Sequence, residues 1–259
     1  MGLAAPPGGL TYAGVAAPCP PKRKVCLMSI RAVLFDKDGT LIDFRATWLP
    51  TYEGLAREVA GGDAALALRL LTEGGYSPDT GAIDPASPLA AGTNDQIAAL
   101  WGGVAGIADT KSLATWLDAR FRAHGATGLA PVTDLAALFG RLRARGLALG
   151  VATNDSEQAL HGQVPTLGLN GLVDFLAGYD SGHGHKPEPG MVHAFCRATG
   201  VPVEAVAVVG DSLHDLEMGR RAGAGMLVGV LTGAAGREHL SSHAHHILAS
   251  IAEIESILN

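Results

Sequence analysis

The feature that most constrains this fold is a short apolar segment that leads directly into a polar turn. Residues Ala32–Phe35 lead into such a turn at residues 36–40, with the sequence DKDGT. Similar apolar segments occur at Leu147–Ala152, Val206–Val209 and Met226–Val230, and segments with helical periodicity separate them. Strands that alternate with helices are typical of a parallel sheet. The sequence therefore predicts an α/β fold built on a parallel sheet.

A different pattern interrupts this alternation between residues 44 and 130. Apolar side chains recur there at helical spacing, first over Trp48–Val59 and again over Leu113–Phe121. No apolar strand lies among them. We therefore expect residues 44–130 to form a helical domain inserted into an α/β core of residues 28–43 and 131–259.

Composition limits the partners and the location of the protein. The chain of 259 residues is 47% hydrophobic, which is enough for a sizeable core, and its net charge is −6. It lacks the clustered Lys and Arg that nucleic-acid binding requires, and it lacks an apolar run long enough to span a bilayer. Its three cysteines have no metal-type spacing. We predict a cytoplasmic protein without nucleic-acid or membrane partners, with a homodimer as one option for its oligomeric state.

The N-terminal segment has a different composition from the rest of the chain. Residues 1–27 are rich in Pro, Gly and Ala, and this composition predicts a disordered extension.

Two carboxylates, Asp36 and Asp38, follow the first predicted strand, at the edge where parallel sheets bind their ligands. One carboxylate can attack a phosphoryl group while the other moves protons, which divides the reaction into two steps with an acyl-phosphate between them. A carboxylate and a phosphate repel each other by about 4 kcal/mol per charge pair at ~4 Å and an effective dielectric constant of about 20. The chemistry therefore requires cations beside Asp36.

The remaining polar groups at the strand ends can supply these cations and bind the phosphate. Asp211 and Asp215 offer the hard oxygen ligands that Mg²⁺ accepts, and Lys186 offers a second positive charge. Thr153 and Asn154 can donate hydrogen bonds to a phosphoryl oxygen. Two alternatives stay open: Asp215 can be a charge that stabilises a helix N-terminus, and Asn154 can cap the helix that follows it.

The motifs DxDGT, a strand that ends in Thr, a Lys and GDxxxD, in this order, resemble the signature of the haloacid dehalogenase superfamily. The likeness covers the chain from Arg31 to its end. It implies a Rossmann-like core with an inserted helical cap domain. It also implies that Asp36 is the nucleophile, that Asp38 protonates the leaving group and then activates water, and that Thr153 and Lys186 bind the phosphate.

The same resemblance implies a Mg²⁺ site. Asp211 matches a direct ligand, beside the Asp36 carboxylate and the backbone carbonyl of Asp38. Asp215 matches an acidic residue that supports the metal from outside the ligand set or through water. The histidines near the C-terminus instead match surface positions or a last short strand, and they are His243, His245 and His246.

The resemblance also favours phosphoryl transfer from an oxygen ester over the other reactions of the superfamily. Its dehalogenases and phosphonatases lack a residue equivalent to Asp38, the second carboxylate of DxDGT. The segment between Asn154 and Lys186 is too short for a further cap domain, so the helical cap is the one that we expect. A chain with this type of cap resembles the phosphoglycolate phosphatases, and this resemblance implies a small phosphorylated metabolite as substrate. Arg45 and Lys111 are candidate contacts to a second anionic group on it. Two alternatives remain: a phosphomutase of a sugar phosphate, and a non-catalytic protein that binds a phosphorylated metabolite.

Overall fold

The computed structural model describes residues 29–125 and 128–258. The strands in these residues are β1 (Ala32–Phe35), β2 (Ala148–Ala152), β3 (Phe175–Ala177), β4 (Val206–Gly210), β5 (Met226–Val230) and β6 (His246–Leu248). All of them pair in parallel and form one sheet in the order β3-β2-β1-β4-β5-β6. The predicted α/β fold with a parallel sheet is confirmed, and β1 lies between β2 and β4 in its middle.

Helices cover the sheet and form most of the segment between β1 and β2. In the described residues they are α1 (Phe44–Val59), α2 (Ala64–Glu73), α3 (Pro88–Ala91), α4 (Asn94–Ala105), α5 (Thr110–Gly125), α6 (Leu135–Ala144), α7 (Glu157–Gln163), α8 (Gly190–Thr199), α9 (Leu213–Ala222) and α10 (Arg237–Leu240). No helix in the described part of the chain combines the length and the apolar character that a membrane span requires.

The sheet is buried on both faces because successive side chains of a strand point in opposite directions. In β1, Val33 and Phe35 pack with α6 and α7 on one face, whereas Ala32 and Leu34 pack with α8 and α9 on the other. All four side chains are fully buried. The parallel pairing of β1 with β2 and β4 then sets the position of the polar turn that follows.

Residues 44–125, called the helical insert below, have a hydrophobic cluster of their own. Trp101 is fully buried in it and donates a hydrogen bond from Nε1 to the carbonyl of Leu70 at 3.0 Å. The cluster contains side chains from all of α1 to α5, and none from the strands of the sheet. These features support the proposal that the insert is a separate helical domain.

The sequence predictions fail mainly at the ends of elements and at the edge of the sheet. β2 begins at Ala148 rather than Leu147, and β4 extends to Gly210. β3 is a three-residue edge strand without a predicted counterpart, because so short a segment carries no detectable periodicity. β6 begins at His246, which confirms a strand position there. The predicted extension at residues 1–27 lies outside the described residues.

Candidate active site

The polar residues that follow β1, β2 and β4 meet at one edge of the sheet. β1 and β4 pair with Phe35 opposite Val209, and Asp36 continues the ladder by donating its N–H to the carbonyl of Val209 at 2.8 Å. Asp211 follows the end of β4, and Thr153 follows the end of β2. The parallel register therefore brings together residues that are far apart in the sequence.

Asp36, Asp211 and Asp215 form a buried carboxylate cluster. Each has a carboxylate oxygen within 4.8 Å of the other two. Oδ2 of Asp36 is buried and has no hydrogen-bond partner among the described residues, which is rare for a polar atom in a folded protein. Three hard carboxylate donors, one of which has a buried oxygen without a partner, fit a divalent cation. The cluster can therefore hold a metal ion.

Lys186 is a buried cation between two of these carboxylates. Its Nζ lies 2.5 Å from Oδ1 of Asp36 and 2.6 Å from Oδ1 of Asp215. Burial alone would lower the pKa of Lys186, but the charges of Asp215 and Asp36 outweigh it, and the pKa is raised. The described side chains accept two of its three N–H groups, so the third can donate to a phosphate oxygen.

Burial also shifts the acid strength of the carboxylates. It raises the pKa of Asp36 to about 7, against the opposing charge of Lys186 and with a further contribution from Asp215. Burial and the neighbouring Asp36 raise the pKa of Asp211 well above its usual value. In the absence of a further cation, the ionised cluster is therefore an unfavourable arrangement.

Asp215 has two roles in the structure. Its Oδ2 accepts hydrogen bonds from the hydroxyl of Ser212 at 2.6 Å and from the N–H of Ser212 at 3.1 Å, in the first turn of α9. Its Oδ1 binds Lys186. Asp215 therefore stabilises the start of α9, which is the alternative left open by the sequence. It also holds the ammonium group of Lys186 beside Asp36.

Gly39 allows the turn after β1 to lie against Asp211. Its φ of +83° is in the left-handed region, and a Cβ at this position would lie 2.5 Å from Oδ2 of Asp211 and 2.8 Å from Cα of Gly233. Both distances are too short for a side chain. The glycine of the DKDGT turn is thus required by the approach of two loops at the site.

The side chain of Asp38 lies outside the carboxylate cluster and is held by two donors. Trp48 Nε1, in α1 of the helical insert, donates to its Oδ1 at 3.0 Å. Lys37 Nζ lies 3.1 Å from its Oδ2. Burial would lower the pKa of Lys37, but the charges of Asp38 and Asp155 outweigh it, and the pKa is raised. The helical insert therefore contacts the predicted proton-transfer residue directly.

Thr153 and Asn154 both follow β2, but they make different contacts. Thr153 is buried, and its Oγ1 accepts the N–H of Asp155 at 3.1 Å, which leaves its O–H free to donate to a ligand. Asn154 instead binds the backbone of Lys186, accepting its N–H at 2.9 Å and donating to its carbonyl at 3.3 Å. The alternative in which Asn154 caps the next helix is wrong, because Ser156 is the N-cap of α7.

Three contact residues were missed in the sequence: Lys37, Trp48 and Asp155. A lysine between two motif carboxylates, directly after a wholly apolar strand, was the available signal for Lys37. For Trp48 the sequence predicts only a position on an apolar helix face, and no sequence pattern indicates that its N–H reaches Asp38. Arg45, in the first turn of α1, and Lys111, near the start of α5, are both exposed.

Comparison with known proteins identifies the family. The sequence model described as haloacid dehalogenase-like hydrolase matches residues 30–223, a range that contains the carboxylate cluster and Lys186. This chain belongs to the haloacid dehalogenase-like hydrolase family. The family membership confirms the resemblance seen in the motifs.

Individual relatives narrow the enzyme class. The chain is 31% identical over 204 residues to a phosphoglycolate phosphatase from Rhodospirillum rubrum, covering 76% of this chain and 78% of that protein. It is 26% identical over 196 residues to an N-acetylmuramic acid 6-phosphate phosphatase from Pseudomonas aeruginosa, covering 76% and 80%. A solved structure described as a β-phosphoglucomutase from Thermotoga maritima aligns with a TM-score of 0.67 at 20% identity, over 88% of this chain and 98% of that one, and shows the fold alone. The protein is a phosphatase of this hydrolase family.

The electrostatics of the cluster predict that the Asp36→Asn variant is more stable than the native protein when no metal is present. The pKa of Asp36 rises from 3.8 to about 7 on folding. At a pH between these two values the carboxyl group is therefore protonated in the folded state and ionised in the unfolded state. The free energy of unfolding therefore falls as pH rises through this window, and it stays low above pH ~7. In chelator at pH ~8 we expect the variant to gain at least about 1 kcal/mol, or about 2–4 °C in melting temperature.

Thermal melts of both proteins at pH ~5 and ~8 test this expectation, and the difference should shrink at the lower pH. Addition of Mg²⁺ should then raise the melting temperature of the native protein more than that of the variant. A variant that melts below the native protein in chelator at the higher pH would contradict the analysis of the cluster.

Proposed function

We propose that this protein is a Mg²⁺-dependent phosphatase that hydrolyses a small phosphate monoester through an aspartyl-phosphate on Asp36. The observation that carries the proposal is the contrast between the two oxygens of Asp36. Oδ1 is bound to Lys186, whereas the buried Oδ2 has no partner among the described residues. An unpaired carboxylate oxygen at the ligand-binding edge of the sheet is suited to attack a phosphorus atom.

Asp36 and Asp211 would hold the Mg²⁺ ion with the backbone carbonyl of Asp38, and Asp215 would support them from its bonds to Lys186 and Ser212. The donor set is entirely oxygen, which Mg²⁺ prefers. When bound, the ion would neutralise negative charge on the phosphate and on the two carboxylates.

In the first step Asp36 attacks the phosphorus, so that a bond from Asp36 to phosphorus forms and the bond from phosphorus to the ester oxygen breaks. Lys186 and Thr153 hold phosphate oxygens through N–H and O–H donors. Asp38 gives its proton to the departing oxygen, which leaves as an alcohol. Asn154 supports the phosphate site by holding the backbone of Lys186.

In the second step Asp38, now a carboxylate, accepts a proton from water as the water oxygen attacks the phosphorus of aspartyl-phosphate. The bond from Asp36 to phosphorus breaks, inorganic phosphate leaves, and Asp38 is again protonated for the next cycle. Lys37 and Trp48 both contact the carboxylate of Asp38. These contacts support the role, because they hold the carboxylate beside the carboxylate cluster but outside it.

The helical insert supports a small substrate. α1 begins directly after the turn at residues 36–43 and contacts Asp38 through Trp48, so the insert acts as a cap over the leaving-group side. The two named relatives act on phosphate esters that also carry a carboxylic acid, which favours an acidic metabolite. Arg45, three residues before Trp48 in α1, is better placed to meet this second acid than Lys111, because Lys111 lies ~15 Å along α5 from Phe121, which contacts Trp48.

Phosphate release across a panel of small phosphate monoesters, including phosphoglycolate, tests the proposed reaction. We expect inorganic phosphate to appear with Mg²⁺ and to stop in excess chelator, because the carboxylates cannot approach the phosphate without neutralisation. Ca²⁺ should inhibit, since it prefers more ligands at longer distances. Full turnover in chelator would refute the metal requirement. Movement of the phosphoryl group within a sugar phosphate, without phosphate release, would indicate the phosphomutase instead.

The Asp38→Asn variant should respond differently to different leaving groups. An alkoxide is strongly basic and needs a proton, so the variant should phosphorylate itself slowly with an alkyl phosphate. Nitrophenolate leaves without a proton. With para-nitrophenyl phosphate the variant should release about one equivalent in a rapid burst and then stop, because no base activates water. Rapid mixing with absorbance detection measures the burst, and native protein provides the control.

Equal losses in both steps and with both substrates would contradict this assignment. Asp38 would then be needed only for the geometry of the turn or for the metal site, and another group would have to move the protons.

A further inference from the structure

Lys37 is a fully buried lysine that the two proposed steps do not use. It stands between Asp36 and Asp38 in the sequence, and its side chain has no exposure to solvent. A charged side chain in this position is costly to bury unless acceptors satisfy each of its hydrogens. The contacts of Lys37 therefore indicate what it does.

The ammonium group of Lys37 joins three separate segments of the core. Its Nζ lies 2.6 Å from Oε1 of Gln163 in α7, 2.8 Å from Oδ2 of Asp155 in the loop after β2, and 3.1 Å from Oδ2 of Asp38. The first two contacts are hydrogen bonds and the third is an ion pair, so three acceptors surround the three N–H donors of the lysine. Asp155 in turn donates its backbone N–H to Thr153, so the network reaches a predicted phosphate-binding hydroxyl.

The same network fixes the carboxylate of Asp38 at both oxygens. Lys37 binds Oδ2, and Trp48 binds Oδ1 at 3.0 Å. A single donor would leave the carboxylate free to rotate about its one hydrogen bond, whereas two donors on different oxygens define its plane. Proton transfer depends on that plane, since the O–H of the acid must point at the ester oxygen in the first step, and a lone pair of the carboxylate must accept from water in the second.

Stability alone does not explain the network. A buried ion pair contributes little net stability, and an apolar side chain of similar volume often serves the fold as well or better. The acceptors of Lys37 lie in the turn after β1, in the loop after β2 and in α7, and none of them belongs to β1 itself. The cation at this position therefore indicates a demand of the site rather than of the core.

We infer that Lys37 is a positioning residue for proton transfer: it holds the Asp38 carboxylate in the plane needed to protonate the leaving group and to activate water. The inference rests on the proposed role of Asp38 in phosphatase turnover. Asp155 and Gln163 accept hydrogen bonds from the other N–H groups of Lys37, which makes the burial of its charge tolerable but does not orient Asp38.

The Lys37→Met variant tests the inference, because it keeps an unbranched side chain, one atom shorter, and removes the donors. In rapid mixing with an alkyl phosphate we expect self-phosphorylation to slow by roughly 10- to 100-fold, the cost of a misplaced catalytic group. With para-nitrophenyl phosphate the first step should keep the native rate, and the second should slow, which gives a burst. If Lys37 had a merely structural role, the variant would lower the rates of both steps to the same extent with both substrates. That result would overturn the inference.

Gln163→Leu is the matched control, because it removes a contact of Lys37 and leaves the bond to Asp38. It should lose stability without showing the leaving-group pattern. If Lys37→Met does not fold, the paired Lys37→Met/Gln163→Leu variant replaces both buried partners with apolar groups and removes the unsatisfied amide. The paired variant should show the same leaving-group pattern, and a uniform loss in it would again overturn the inference.

The Asp38→Asn background separates this inference from the proposed function. Lys37→Met should have little further effect on the first step there, because the residue that it positions no longer transfers protons. If Asp38→Asn itself shows no leaving-group dependence, the proposed role of Asp38 fails. If Asp38→Asn shows the dependence and Lys37→Met does not, the function stands and Lys37 has no positioning role.

Discussion

The ammonium group of Lys186 lies between the carboxylates of Asp36 and Asp215, and the geometry of the whole site depends on this interaction. It brings the loop before α8 against the end of β1 and the first turn of α9, where burial makes ionised carboxylates unfavourable. One oxygen of Asp36 is thereby occupied, and the other is left without a partner among the described residues. A cation and a phosphate can complete this arrangement, which is why burial here serves chemistry more than stability.

The positive charges of the site serve different carboxylates. Lys186 binds the cluster that contains the proposed nucleophile, whereas Lys37 binds the proposed proton-transfer residue, Asp38. Trp48 adds a neutral donor to Asp38 from the helical insert. Two carboxylates near one reacting phosphate thus have separate surroundings, and such separation allows one to act as nucleophile while the other exchanges protons.

The sequence predicted the sheet and the main site residues because their signals are local. An apolar strand followed by a polar turn is readable at β1, β2 and β4, and parallel pairing then brings the turns together. The contacts of Lys37, Trp48 and Asn154 could not be predicted from the sequence, because each depends on a partner in another segment of the chain. Edge strands such as β3 were missed since three residues are too few for a periodic pattern.

The central claim is that the phosphoryl group passes through Asp36. Rapid acid quench during turnover with Mg²⁺ and a good substrate, followed by digestion and mass spectrometry, tests it most directly. We predict one phosphoryl group on the peptide that contains Asp36, formed and lost on the time scale of turnover, and none on the Asp36→Asn variant. Turnover without any phosphorylated form of Asp36, or turnover retained by the variant, would contradict the account.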